Sequence, residues 1–459
     1  QETEALLRQH SIPLVLERTE NPSQTILDAI KRFDISTLVV DLDPLREHRD
    51  ICDRVADELV ANKSKCNFIQ VDTHNIVPIY CTSEKQEYAA RTIRPKIHKQ
   101  KSDFLNLQPI ISTDQSNHDL TSAAQQFRDA LCVDNLLQSY PLIEELTDNQ
   151  KQHCSSIKSP NWSTLLNNLN DLSKRDAAQS VDSYYPPGTQ SALKQLASFF
   201  FDQDRLLAQS TLRNNPNHDR VLSHLSPYIN FGQISVERII VELLALSSVL
   251  DDRASAKLKP GMDTFIEEVM VRRELSDNYV YYNRDHYDTL SPKSISSWAW
   301  ETLQTHADDS RNFTYDYEQF EQAKTHDDLW NAAQRQLTTT GKMHGYMRMF
   351  WAKMIVLWSE SPQRAFEIAI RLNDEYALDG NTPNGFVGVL WSIGGLHDHG
   401  WKEREILGKV RLMNRNGCER KFDVAQYVQT HLNKIIPSKK KRKRTTTTTS
   451  TTTTTENNN

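Results

Sequence analysis

Residues 341–401 read GKMHGYMRMFWAKMIVLWSESPQRAFEIAIRLNDEYALDGNTPNGFVGVLWSIGGLHDHGW and hold four of the chain's eight tryptophans. Trp351 and Trp358 are seven residues apart, so they share one face of a helix. Four methionines surround them, Arg348 lies within the same apolar segment, and Asp379 follows about two helices later. A buried arginine needs a carboxylate or phosphate partner. The stretch therefore predicts either an ordinary aromatic core or a pocket for a large planar anionic cofactor that carries out one-electron chemistry.

Outward from this stretch, apolar residues recur at intervals of three and four, which is typical of amphipathic helices. These runs are 191–201, 234–250, 262–275, 343–358 and 364–378. Proline and glycine cluster between the runs. The pattern predicts a large all-α domain.

The first part of the chain has a different pattern. Three short β-branched runs lie at 12–16, 35–41 and 68–72. Helical patterns lie between these runs, at roughly 21–33 and 44–61. Asn21 or Ser23 is the expected N-cap of the first of these two helices. This order predicts an α/β domain with a parallel sheet. Three strands are few for such a sheet, and the chain starts inside a helical pattern, so we expect an N-terminal part to be missing.

Four segments follow from these patterns. We predict an N-terminally incomplete α/β domain at 1–112, a linker at 113–158, a helical domain at 159–436 and a disordered tail at 437–459. The basic run 439–444 in the tail reads as a nuclear import signal, with a solubilising tail as the alternative. The run leaves the rest of the chain with a net charge of −12. Any nucleic-acid binding must then use a local basic patch or shape.

Composition excludes several classes of protein. The chain is 38% hydrophobic and 25% charged, as soluble globular proteins are, and no apolar run approaches the length of a membrane span. The six scattered cysteines lack zinc spacing and predict reduced thiols inside a cell. Motifs of serine hydrolases, P-loop nucleotide hydrolases and zinc proteases are absent, as is a dinucleotide fingerprint. His397-Asp398-His399 is spaced poorly for a metal, so packing is the preferred interpretation.

Several long strings are more specific than these patterns. They are GKMHGYMRMFWAK (341–353), LDGNTPNG (378–385), WSIGGLHDHGW (391–401), KVRLMNRNGCERKFDV (409–424), LSPYINFGQIS (225–235), FIEEVMVRRELSDNYVYY (265–282), LWNAAQ (329–334), VDTHNIVP (71–78) and ARTIRPKIHK (90–99). In this order they closely resemble class II cyclobutane pyrimidine dimer photolyases of the photolyase/cryptochrome superfamily. The resemblance runs from near residue 10 to about 430, apart from the linker.

The resemblance implies an α/β domain packed on a helical domain that binds folded FAD, whose reduced anionic form is active. It implies light-driven repair of DNA pyrimidine dimers by electron transfer, which requires no acid–base pair. An antenna chromophore is implied too, but the incomplete N-terminal domain puts it in doubt. We expect a nuclear monomer that binds UV-damaged DNA and no membrane.

The resemblance also assigns residues to the cofactor. Those matching the FAD site are Ser223, Leu225, Ser226, Gly345, Arg348, Asn373, Asp379 and Gly380. Asn373 matches the asparagine that faces flavin N5, with Asn384 as the second candidate. The chain of indoles that relays electrons to the flavin matches Trp351, Trp330 and Trp358, and Tyr315 is a candidate distal member.

A further set matches the DNA lesion site. Its members are Glu268, Arg272, Met349, Trp391, Trp401 and Arg411. Glu268 is expected to hydrogen-bond the flipped dimer, Trp391 to pack on it, and Trp401 and Arg411 to face the gap left in the duplex. Basic residues of the last helical segment supply the local positive patch: Lys402, Arg404, Lys409, Arg411, Arg415, Arg420 and Lys421.

Two positions depart from the family pattern. Arg272 stands where some relatives carry a second lesion-stacking tryptophan, and residues 209–211 lack the tyrosine that many relatives place near the flavin. Three rival functions remain: a cryptochrome-type photoreceptor without repair, repair of (6-4) lesions, and a DNA-binding protein without its cofactor. The lesion-site residues argue against the first, and the missing histidine pair argues against the second.

Overall fold

A computed structural model describes residues 2–9, 12–110, 124–125, 161, 181, 183–202 and 204–432. Most of the predicted linker and the whole tail, with its basic run, lie outside these residues. The predicted domain boundaries therefore stay predictions.

The N-terminal part combines a small parallel sheet with helices. Its elements are α1 (Glu2–Gln9), α2 (Pro22–Arg32), β1 (Thr37–Asp41), α3 (Arg46–Ala61), β2 (Asn67–Val71), α4 (Ile79–Thr82) and α5 (Ala90–Phe104). β1 and β2 pair in parallel, with Thr37 opposite Asn67. The Asn21 side chain accepts a hydrogen bond from the Gln24 N–H and so caps α2, as expected. The sheet and its helices confirm the α/β prediction.

The strand predicted at 12–16 is wrong. These residues join no β-ladder in the described part of the chain, and Val15 and Leu16 are about half exposed. Pro13 has no N–H to donate to a neighbouring strand. An apolar β-branched run is therefore not enough to make a strand here.

The second part is helical, as predicted. Its helices are α6 (Thr189–Phe201), α7 (Arg205–Leu212), α8 (Ser226–Asn230), α9 (Val236–Val249), α10 (Asp252–Ile266), α11 (Arg273–Tyr282), α12 (Ser297–Thr305), α13 (Tyr317–Glu321), α14 (Asp328–Thr340), α15 (Gly345–Leu357), α16 (Pro362–Tyr376), α17 (Pro383–Gly394), α18 (Arg415–Glu419) and α19 (Val424–Leu432). A 3₁₀ turn (Pro216–Val221) precedes α8, and a π-helical segment (Glu267–Arg272) joins α10 to α11. No helix within the described ranges combines the length and apolar character needed to cross a bilayer.

Two hydrophobic cores organise the helices. The larger surrounds α15, whose residues 350–356 are all buried, and includes side chains of α14, α16 and α17. The smaller lies among α6, α9 and α10 and takes in Ile93 and Ile97 of α5. The last helix of the α/β part is therefore built into the helical core.

Polar contacts also join the two parts along α11 and the π segment. Arg94 of α5 forms a two-point ion pair with Glu267, at 2.7 and 2.8 Å. Glu274 Oε1 accepts from the backbone N–H of Ile76 at 2.9 Å. Burial raises the pKa of Glu274 to about 8, although the Arg273 charge opposes this. Glu274 is therefore a neutral acid in the folded protein near pH 7.

This neutral acid predicts a measurable pH dependence of stability. The carboxyl loses its proton near pH 4.5 when unfolded but near pH 8 when folded, so its contribution falls as pH rises through that window. One proton corresponds to a slope of about 1.4 kcal/mol per pH unit. Glu274→Gln keeps the acceptor for Ile76 and should make urea-denaturation stability less dependent on pH between 5 and 8. Parallel curves for variant and wild type would contradict this.

Candidate functional site

A cluster of charges lies where α8, α15 and the α16–α17 loop meet. Asp379 accepts hydrogen bonds from Arg348 Nη2 at 2.9 Å and from Ser226 Oγ at 2.7 Å. Lys342, just before α15, donates to Ser226 Oγ, and its Nζ lies 4.0 Å from the Asp379 carboxylate. All four side chains are only partly exposed. Three of them were predicted for the FAD site, and the structure brings them together.

The cluster carries more positive than negative charge. Burial alone would raise the pKa of Asp379, but Arg348 and Lys342 outweigh it and lower the pKa to about 2. Burial lowers the pKa of Lys342, and Asp379 opposes that shift. One carboxylate thus faces two basic groups. Sequence reasoning missed Lys342, although it lies in one of the family strings.

Gly345 and Gly380 occupy different surroundings beside this cluster. A Cβ added to Gly345, the first residue of α15, would meet no atom within 4 Å. An added Cβ at Gly380 would lie 2.8 Å from the Asn373 carbonyl oxygen, so this glycine allows close approach of the loop to α16. Open space next to the charges is available only on the Gly345 side of this pair.

The two candidate asparagines differ in burial. Asn373 is almost fully buried at the end of α16, and its Nδ2 donates to Asp374 at 2.9 Å. Asn384 is exposed and accepts from Ser276 Oγ at 3.2 Å. The Asp374 contact gives the Asn373 amide a defined orientation, which favours it as the cofactor-facing residue.

The loop before α8 holds Ser223 and Leu225. Ser223 Oγ accepts from the backbone N–H of Leu225 at 3.4 Å, and its carbonyl accepts from Gln195 at 2.7 Å. His224 between them has a positive φ of 57° and is bonded to the Asp219 carbonyl. Burial, helped by Lys342, lowers the pKa of His224 to about 3, so this ring is neutral. The segment is held by local hydrogen bonds and by the hydrogen bond from Gln195 of α6.

The predicted indoles form one continuous series. The rings of Trp351 and Trp330 are stacked, with centroids 6.2 Å apart. Trp358 lies 6.2 Å from Trp330 in an edge-on arrangement. Trp330 Nε1 donates to the Trp351 carbonyl, and Trp351 Nε1 donates to Gln334. Trp351 and Trp330 are fully buried, and Tyr315 extends the series with a centroid distance of 6.0 Å to Trp358.

Three residues predicted for the lesion site form a second arrangement. The Arg411 guanidinium lies over the rings of Trp401, at 4.2 Å, and Trp391, at 5.6 Å. Arg411 is held by two hydrogen bonds to Asp398. Trp401 is 44% exposed, so part of its ring faces solvent.

A buried lysine lies behind Trp391 and was missed by sequence reasoning. Lys353 Nζ donates to the Ser392 carbonyl at 2.7 Å and lies 5.0 Å from the Trp391 ring centroid. Burial lowers its pKa to about 7. No local pattern marks it, because a lysine in an α-helix is usually at the surface.

Glu268 and Arg272 lie on the π segment. Glu268 is paired with Arg213, and Arg272 donates to Glu267 at 3.0 Å. Burial, with help from the Arg272 charge, lowers the pKa of His397 to about 4. Met349 is half-buried on α15 beside Arg348. π segments are frequent at functional sites because they reorient side chains.

The predicted basic patch is partly neutralised. Arg411 and Arg415 pair with acidic residues, Asp398 and Asp328 respectively. The exposed members are Lys402, Arg404, Lys409, Arg420 and Lys421. Exposed carboxylates lie among these five side chains, at Glu403, Glu405, Glu419 and Asp423, so the exposed charges of this segment nearly balance.

Comparisons with known proteins identify the family of the chain. The sequence model of the DNA photolyase family matches residues 1–114. Deoxyribodipyrimidine photo-lyase of Potorous tridactylus is 41% identical over 407 residues, which are 88% of this chain and 66% of the relative. The Oryza sativa subsp. japonica protein of that name is 38% identical, over 87% of this chain and 70% of the relative. The Methanothermobacter thermautotrophicus protein is 36% identical, over 92% and 79%. The chain thus spans about two thirds of the length of the first relative.

A solved structure supports the fold. The cryptochrome of Synechocystis sp. PCC6803 superposes with a TM-score of 0.54 over 90% of this chain and 70% of its own, at 14% identity. The fold is that of the photolyase/cryptochrome superfamily. Within it, the chain belongs to the deoxyribodipyrimidine photo-lyase family, whose members are enzymes.

This family binds FAD, and the residues present fit that cofactor. The charge cluster leaves an excess of positive charge for an anionic group, and the open space at Gly345 lies at the start of the helix that carries Arg348. The stacked indoles begin farther along the same helix at Trp351. Charge, space and redox-active rings are therefore joined by α15.

The ion cluster predicts an effect on stability that does not depend on a cofactor. Asp379→Asn should lower the urea-denaturation stability of the flavin-free protein by about 2 kcal/mol, because Arg348 and Lys342 lose their shared carboxylate. The exposed Asp308→Asn is the control and should change stability by less than about 0.5 kcal/mol. Equal stability of the two variants would mean that the cluster does not depend on Asp379.

Proposed function

We propose that the chain is a class II DNA photolyase that uses reduced FAD and light to split cyclobutane pyrimidine dimers. The observation that carries this proposal is the continuity along α15, which bears Arg348 of the ion cluster and Trp351 of the indole series. When bound, reduced anionic FAD supplies one electron to the dimer on excitation and recovers it after the cyclobutane bonds split. No side chain has to act as a general acid or base.

The ion cluster has a binding role in this scheme. Arg348 and Lys342 stabilise negative charge, and Asp379 holds Arg348 in place through their 2.9 Å contact. Asn373 offers an amide of fixed orientation that helps to set the redox state of the flavin. Ser223, Leu225 and Ser226 contribute hydroxyl and backbone groups to the phosphates. Gly345 leaves room at the start of α15, and Gly380 lets its loop approach α16 closely.

Other residues recognise the damaged bases in the DNA. Pyrimidine dimers stack poorly, so flipping them out of the duplex costs less free energy than flipping intact bases. Glu268 accepts hydrogen bonds from the flipped bases, while Met349 and Trp391 pack against them. Trp401 and Arg411 fill the gap in the duplex, and Arg272 gives one wall of the pocket a polar surface. The exposed basic residues contact the DNA backbone.

The proposal also covers where the protein acts in the cell and where an antenna chromophore would bind. The basic run 439–444 would direct the protein to the nucleus. An antenna chromophore, if one is used, belongs to the α/β part.

Repair is tested directly with a thymine-dimer oligonucleotide, chemically reduced protein and near-UV or blue light. The proposal predicts light-dependent loss of the dimer and none in darkness. Persistence of the dimer while reduced flavin is bound would favour a photoreceptor without repair. Protein that binds no flavin would refute the cofactor assignment.

The indole series predicts a separation of two activities. Trp351→Phe should slow photoreduction of oxidised flavin by more than about tenfold, because the electron path is interrupted next to the cofactor. Repair by chemically reduced protein should remain largely intact. Trp300→Phe, outside the series, should behave as wild type in both assays. Equal loss of both activities in Trp351→Phe would show that Trp351 has another role.

A further inference from the structure

The series of aromatic rings continues beyond Trp358 to a tyrosine and a histidine. The Tyr315 ring lies 6.0 Å from that of Trp358, and the His326 ring lies 4.8 Å away. The Tyr315 backbone N–H donates to the Trp358 carbonyl at 2.9 Å, which holds the two residues together. Trp358 is nearly buried, whereas His326 is exposed. The series therefore ends at the surface with this pair.

The Tyr315 hydroxyl is arranged as a proton donor. Its oxygen accepts the backbone N–H of His326 at 3.0 Å and lies 2.8 Å from His326 Nδ1. The phenol can therefore donate its own proton to the imidazole in the tautomer that carries its proton on Nε2, and this is the arrangement that the proposal below uses.

The turn that carries His326 is firmly held. Thr325 donates its backbone N–H to Asn331 Oδ1 at 3.0 Å, and Asn331 Nδ2 donates to the Thr325 carbonyl at 2.8 Å. Phe313 stacks on the imidazole with a centroid distance of 3.8 Å. The same turn leads into α14, which carries Trp330. These contacts hold His326 in place, so the hydrogen bond between Tyr315 and His326 has a fixed position next to the indoles.

We propose that Tyr315 and His326 form a proton-coupled end of the electron relay. The inference rests on the proposed function, because the oxidant is the Trp358 radical cation left when light drives an electron towards the flavin. One electron passes from Tyr315 to Trp358, the phenol O–H bond breaks, and the proton forms a new N–H bond at His326 Nδ1. The products are neutral Trp358, a neutral tyrosyl radical and an imidazolium.

The presence of a proton acceptor makes electron transfer from Tyr315 to Trp358 favourable. An oxidised phenol is a strong acid, so oxidation without proton release is unfavourable, and histidine is a base suited to neutral pH. The exposed imidazolium is solvated and can pass its proton to water. Return of the electron then requires the proton to return as well, so the separated charge lives longer and an external reductant can reduce Tyr315 at the surface.

A neighbouring tyrosine provides the comparison. Tyr317 also donates to a side chain, at 2.7 Å from Glu375, but its ring makes no described contact with the indoles. Tyr317→Phe is therefore a matched control for Tyr315→Phe. His286→Phe, at a half-buried position away from the series, is the control for His326→Phe.

Flash photolysis of the flavin-loaded full chain tests the proposal by optical and EPR spectra of the radicals. Wild type and both controls should form a tyrosyl radical as the indole radical decays, more slowly in D₂O than in H₂O. Tyr315→Phe should form none. His326→Phe should form it at least about tenfold more slowly, and added imidazole should restore the rate in His326→Ala.

The outcomes separate this proposal from the proposed function. Indole radicals without a tyrosyl radical in wild type, or an unchanged rate in His326→Phe with no isotope effect, would overturn the Tyr315–His326 assignment alone. Absence of indole radicals in wild type would overturn the relay and this proposal together. In the flavin-free chain, the ¹⁵N shift of His326 Nδ1 should report an accepted hydrogen bond that Tyr315→Phe removes, and no change there would also contradict the assignment.

Discussion

The ion cluster around Asp379 is the contact on which the arrangement of the helical part depends. Asp379 is reached by Ser226 of α8 and by the continuous stretch that holds Lys342 and Arg348, so two separate segments meet at its carboxylate. Desolvation makes such a cluster costly unless its charges stay together. Lys342 leaves the cluster with a positive surplus that a bound anion would balance. A bound cofactor would therefore stabilise the fold, because any ligand that binds only the folded state raises the free energy of unfolding.

Helix α15 carries three functional groups of different kinds: an arginine, a tryptophan and a buried lysine. Arg348 lies near its positive end, Trp351 begins the aromatic series one turn later, and the Lys353 ammonium lies 5.0 Å from the ring centroid of Trp391. Because the helix is buried on almost every side, these groups are held by packing as well as by hydrogen bonds. A rigid helix of this kind suits electron transfer, which depends on fixed distances between rings.

Although the chain has a net charge of −6, basic side chains are held at defined places near its C-terminal helices. The cation–π contacts of Arg411 orient Trp391 and Trp401, and Asp398 fixes the guanidinium between them. The exposed basic residues around 402–421 are interleaved with exposed carboxylates, so positive charge is concentrated at single side chains such as Arg411 and not over the whole protein.

The sequence by itself determined the helical periodicity, the α/β order of the first part and the strings that mark the family, because these depend on local spacing and residue type. It also pointed to Arg348, Asp379, Trp351 and Trp358 through their place in one apolar stretch, and to Trp330 through the family strings. The tertiary structure decided that 12–16 is no strand, that Lys342 joins the ion cluster and that Lys353 is buried. It also placed Glu268 against Arg213 and Tyr315 against His326. Contacts between segments far apart in the chain depend on how helices pack, and periodicity reports only which face of a helix is apolar.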